Sequence, residues 1–165
     1  NYLRISLGIF LILAASRFIP HPPNFTSLIA LSFYVPAILG RKYIVSLIFS
    51  FFITDLFIGL HSTILFSYGS ILVIGLITKF FSSNRTYRIV GVLTGSLIFF
   101  IFTNLGVWLN GELYPITLEG LWICYIMAIP FFHNTLIGSF FYGAIMFGGY
   151  EAAKYIVKHN APDSI

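Results

Sequence analysis

Along most of the chain apolar residues follow one another with too few polar interruptions to give a strand or a helix one wet face. Solid runs of 17–25 such residues are what a helix needs to cross the ~30 Å hydrocarbon core of a bilayer. On that ruler six spans are predicted, over Tyr2–Ile19, Phe25–Leu39, Tyr43–Leu60, Ile64–Phe81, Ile89–Leu109 and roughly Leu136–Tyr155. The second is short and holds Pro36, which kinks a membrane helix without ending it when neighbours satisfy the freed carbonyl. A further run, Leu118–Phe132, is bounded by Glu119 and by Pro130 with His133. Its length predicts a short interfacial or re-entrant helix, not a seventh crossing. Alternation with a period of two is missing, so a β-barrel is not expected. The expected fold class is an all-α integral membrane protein, one transmembrane domain over residues 1–165.

Composition agrees with the pattern: 58% of the 165 residues are hydrophobic and 8% charged, against about 25% charged in a soluble domain. The net charge of +4 bears on orientation, not on nucleic acid. With six crossings Arg4, Arg41, Lys42, Lys79, Arg85, Arg88, Lys154 and Lys158 fall on one side and Arg17 alone on the other. Positive loops stay inside, so both termini are expected in the cytoplasm. A crossing by 118–132 would move Lys154 and Lys158 outside and spoil the asymmetry. No linker, repeat, low-complexity tract or cleavable signal peptide is evident. Cys124, the single cysteine, has no internal disulfide partner and sits among apolar neighbours, as a buried thiol does.

The same topology gathers the polar residues outside: Arg17–Asn24, Thr54–His61, Thr103–Gly120 and Phe131–Asn134. A capped external cavity accounts for them, because structured long loops are commonly lids or binding loops. Asp55, flanked by apolar residues, needs a partner at membrane depth, and Arg17 and His61 are the cations available. Such a pair either pins two helices or directs a carboxylate at a ligand. His21, His61 and His133 with Asp55 have the donor chemistry of a metal site but no local spacing, so no metal and no cofactor are expected. Trp108, Tyr114 and Trp122 suit an interfacial aromatic belt. A belt needs no amides, however, and Asn104, Asn110 and Asn134 lie among the rings, as in a site for a small polar, ring-bearing ligand. Asn24 or Thr26 is placed to cap the second helix, after a strap stiffened by Pro20, Pro22 and Pro23. Neither a catalytic motif nor a phosphate loop is found, so no enzyme is expected, and ATP would require a partner protein. Gly91 with Gly95, and Ala144, Gly148 and Ala152 at four-residue spacing, are small enough for close helix packing, within the bundle or against a partner.

The blocks RFIPHPPNFT, TDLFIGLHSTILFSYGSILVIGL and TNLGVWLNGELYPITLEGLWICYIMAIPFFHNTLIGSFFYG resemble a family of small, uncharacterised bacterial membrane proteins. That family is in turn similar to the substrate-binding S components of energy-coupling factor (ECF) vitamin transporters. The resemblance implies a location in the bacterial inner membrane, an S-component-like bundle and an external pocket for a water-soluble nutrient. It also implies a transmembrane coupling protein with ATPase subunits as partner. S components dock that partner through an Ala-xxx-Ala patch on the first helix, whereas this chain reads LRISLGIFLILAAS and offers only Ser6 and Gly8. An accessory subunit of a larger membrane complex is the alternative.

Overall fold

The computed structural model describes residues 1–160 as six helices: α1 (Tyr2–Phe18), α2 (Leu28–Ile38), α3 (Tyr43–Ile58), α4 (Ile64–Phe81), α5 (Arg85–Asn110) and α6 (Leu118–Asn160). The expected domain runs to residue 165, and its last five residues lie outside the described ones. By length and composition α4, α5 and α6 are able to cross a membrane, which is compatible with a membrane protein. Outward faces are apolar, with Leu65, Phe57 and Val45 exposed by 80%, 76% and 68%. Serines are instead drawn inside. Ser32, Ser50, Ser96 and Ser139 are buried, each hydroxyl donating to the carbonyl four residues back. Small hydroxyl side chains that satisfy themselves in this way allow close helix packing without stranding a polar group.

Two expectations are corrected. The run Leu118–Phe132 is no separate interfacial or re-entrant helix, because it continues through Pro130 into a single 43-residue helix. At about 1.5 Å per residue α6 is about 64 Å long, roughly twice the hydrocarbon thickness. Proline deletes one hydrogen bond, and packing against a neighbouring helix carries the chain across it. That neighbour is α5, antiparallel to α6: Trp108 Nε1 donates to Thr117 O at 3.2 Å, Tyr125 OH to Ile101 O at 2.8 Å, and Arg88 lies over the Phe147 ring. The second correction concerns Phe25–Leu39. Its helix has 11 residues, about 16 Å, and does not reach across a bilayer alone.

That short helix is the centre of the molecule. Every residue of α2 from Leu28 to Pro36 is buried, and α2 packs on α4, α6, α5 and α3. Glycine makes this possible on α5, where a Cβ at Gly91 would lie 2.3 Å from the Phe33 ring and one at Gly95 3.2 Å from Ile74. Both glycines therefore serve packing inside the bundle. Ala144, Gly148 and Ala152 on α6 are exposed, with no atom within 4 Å of a Cβ at Gly148. On α1, Ser6 bonds Ser46 Oγ of α3 at 2.8 Å and so presents nothing outward.

Candidate ligand cavity

The chain between α1 and α2 is extended at Ile19 and turns at Pro22–Phe25, where Phe25 N donates to Pro22 O at 3.0 Å. Pro23 supplies the fixed φ of the second turn position and Asn24 the left-handed third, at φ 64°, which is the chemistry of a type II turn. Thr26 Oγ1 accepts from Leu28 N at 3.5 Å, as expected of a cap from Asn24 or Thr26, while Ser27 stands at the N-cap position of α2 and its own side chain makes no capping bond. Its hydroxyl instead meets Ser16 Oγ of α1 at 2.7 Å, while Gly138 lets α6 approach the strap, a Cβ there lying 3.1 Å from Phe25 Cα. The strap is thus held at both ends. Asn24→Gly is expected to leave the melting temperature unchanged or higher, and Asn24→Val to lower stability by about 1–2 kcal/mol, since a branched side chain disfavours positive φ. Equal melting of the two variants would exclude the turn as a constraint.

Beneath the strap lies a cavity of ≈ 440 Å³. α5 contributes Phe100, Thr103, Asn104 and Val107, and α6 contributes Ala128, Phe131, Phe132 and Thr135. Each set falls at positions i, i+3, i+4 and i+7, a single helical face. Arg17 and His21 enter from α1 and the strap, His61 and Thr63 from the lead into α4, and Phe51 from α3. His21 ties the strap down, its ring nitrogens 2.8 Å from Pro22 O and 3.3 Å from Arg17 O. Asn104 Nδ2 donates to Phe100 O at 2.8 Å, leaving Oδ1 without a donor among the described residues.

Asp55 stands behind this wall and is fully buried. Arg17 Nη2 lies 2.6 Å from Oδ1, too poorly aligned for a hydrogen bond, so the contact is ionic. Tyr68 OH donates to Oδ2 at 3.0 Å, and His61 Nε2 is 4.0 Å from it. Arg17 also donates to Thr54 Oγ1 and lies 4.5 Å from the centre of the Phe51 ring. The pair joins α1 to α3 and neutralises the guanidinium from behind. Among the described residues no carboxylate lines the cavity, whose polar surface comes from arginine, histidine, amide and hydroxyl groups. Apolar rings interspersed with polar groups suit a planar ligand that carries acceptors.

Of the residues singled out by sequence, Arg17, His21, Asn24, His61 and Asn104 line the cavity, and Asp55 backs it. The others do not. Trp108 Nε1 donates to Pro115 O at 3.0 Å and so braces the α5–α6 connection, while Asn110 Nδ2 donates to Ser62 Oγ at 3.1 Å and ties it to the start of α4. Tyr114 lies in that connection, and His133 and Asn134 occupy other faces of α6. Among the described residues no three of His, Cys, Asp and Glu come together as a metal site. Phe131 and Phe132, expected among the external rings, line the cavity too, whereas Thr103 and Thr135 carry no sequence signal of their own. Phasing 118–160 as one helix is the signal that finds the α6 members, because it sets Phe132 and Thr135 on the face of Ala128 and turns His133 away.

No curated protein and no solved structure matches the chain. One family's match runs across residues 1–161, through the strap, the Asp55 pair and the α5–α6 face: the chain belongs to the Family of unknown function (DUF6580).

Proposed function

We propose that this chain is a substrate-binding membrane protein of the ECF S-component type, which takes a small, water-soluble, ring-containing nutrient from outside the cell. The observation that carries the reading is the strapped cavity. Its ≈ 440 Å³ falls within the roughly 300–1,000 Å³ of small-molecule sites, and rings, an amide and hydroxyls surround it at one end of an apolar bundle. Its orientation follows from charge. Tyr2 OH bonds Lys42 O, and Arg88 lies over Phe147, so the cationic ends of α1, α3, α5 and α6 share the face opposite the cavity. By the positive-inside rule that face is cytoplasmic in a bacterial inner membrane and the cavity opens outward. Six crossings would then be made with the short α2 enclosed by its neighbours. Uptake would draw on a coupling protein with ATPase subunits.

Mass spectrometry of the protein purified in mild detergent is the test, with a released small molecule as the expected result. Asn104→Leu and Phe132→Ala should each weaken binding of that molecule by about tenfold, one hydrogen bond or one stacked ring, while melting temperature without ligand is retained. An empty cavity, with other chains co-purifying in fixed ratio, would favour an accessory subunit of a larger complex. The specific support for that second reading is the exposed Ala144, Gly148 and Ala152 face of α6.

A further inference from the structure

At the end of the bundle opposite the cavity, α1 packs on α3 and touches α2 but does not meet α6 among the described residues. The gap is a groove of ≈ 350 Å³. α2 forms its floor with Leu31 and Val35, α1 one wall with Gly8 and Ile12, and α6 the other with Met146 and Tyr150. Gly8 holds it open, since a Cβ there would meet nothing within 4 Å. Apart from two tyrosines every lining residue is apolar.

Three elements each set a cation just past the same end of this groove. Arg4 stands one turn before Gly8 on the same face of α1, Arg41 and Lys42 follow α2 directly, and Lys154 lies one turn beyond Tyr150, its Nζ 5.3 Å from that ring. All four are exposed. Tyr2 OH, which donates to Lys42 O at 3.4 Å, draws two of the three elements together. Among the described residues one carboxylate is near, Glu151, 4.0 Å from Lys154 Nζ, and it leaves their excess positive.

The geometry points to a site for an anionic phospholipid, one acyl chain in the groove and its phosphate among Arg4, Arg41, Lys42 and Lys154. An apolar slot that opens on a cation cluster has the polarity of that amphiphile, and basic pockets between membrane helices on the cytoplasmic side hold acidic headgroups. A second copy docked two-fold on the groove would bring the four cations against their own equivalents, which like-charge repulsion opposes. The inference requires a bilayer around the bundle and nothing of the nutrient cavity.

Thermal unfolding of the detergent-purified, delipidated protein with added lipid tests it. Dioleoyl phosphatidylglycerol should raise Tm by about 3–5 °C, dioleoyl phosphatidylcholine by much less, and glycerol 3-phosphate, which has the charge without the chain, not at all. Gly8→Phe fills the groove and Arg4→Gln with Lys154→Gln thins the cluster; both should abolish the preference. The charge variant changes only exposed side chains and fills no part of the groove, so it decides the matter if the Phe variant does not fold. Equal shifts with both lipids, a full shift with glycerol 3-phosphate, or a preference that survives the charge variant would overturn the site. A dimer that Gly8→Phe dissociates without any lipid effect would give the groove to a second copy instead.

Discussion

Arg17→Ala is expected to destabilise the bundle by about 3–5 kcal/mol, as removal of one partner from a buried ion pair does. Asp55 would then be a fully buried carboxylate with the Tyr68 hydroxyl as its remaining donor and His61 at 4.0 Å. Asp55→Ala should be milder. The guanidinium it strands lines the cavity, keeps its bond to Thr54 and its contact with the Phe51 ring, and is open to water there. Exchanging both for apolar residues, Arg17→Met with Asp55→Leu, should recover most of the loss, since an isosteric apolar pair avoids desolvation altogether. Unfolding in mixed detergent micelles gives the ranking. If Arg17→Ala and Asp55→Ala melt alike, the asymmetry between a buried and a cavity-facing partner is wrong; if the double variant is the worst of the three, so is the account of the cost. The same variants bear on function: a structural pair predicts that the double variant still binds ligand, whereas a carboxylate directed at the ligand predicts that binding is lost with folding intact.

The second large effect belongs to Gly91→Ala, expected to lower stability by about 1–3 kcal/mol, the usual range for overpacking. Its Cβ would come within 2.3 Å of the Phe33 ring and 2.7 Å of Phe81 Cβ, and Phe33 is fully buried on the central helix. Phe33 has no room to swing away, and Phe81 Cβ moves only with its backbone. Phe33→Leu should therefore be less harmful in the Gly91→Ala background than in the parent, because it clears one of the two clashes. A double-mutant cycle that closes additively within about 0.5 kcal/mol would remove Phe33 as the source. Such an outcome would leave Phe81 as the obstacle.

Helix positions were readable from hydropathy wherever an apolar run ends in a turn signal. α4 begins and ends where predicted, and α1 and α3 differ only at their last residues, because glycine, proline and charge interrupt the chain there. Proline misled in one place. The sequence suggests a kink at Pro36 and a boundary at Pro130, yet both lie inside helices. What separates the cases is the neighbouring helix that carries the backbone past a missing hydrogen bond, and a linear sequence does not display its neighbours. The Arg17–Asp55 pair was legible because an ionisable residue at apolar depth has few available partners. His133, Asn134, Trp108 and Tyr114 were drawn toward the cavity by their chemistry alone, and their helical phase or loop bonds send them elsewhere.

By itself the sequence determined a helical chain with apolar outer surfaces, cations gathered toward one set of turns, and a proline-stiffened strap, since hydropathy, charge and φ restriction are local properties. Tertiary structure alone decided that α2 is a short central helix, that 118–160 is one rod, and that α5 and α6 turn Thr103, Asn104, Phe132 and Thr135 into one cavity. Those outcomes depend on helix phase and on how closely backbones approach at Gly91 and Gly138, quantities that arise only when distant residues meet.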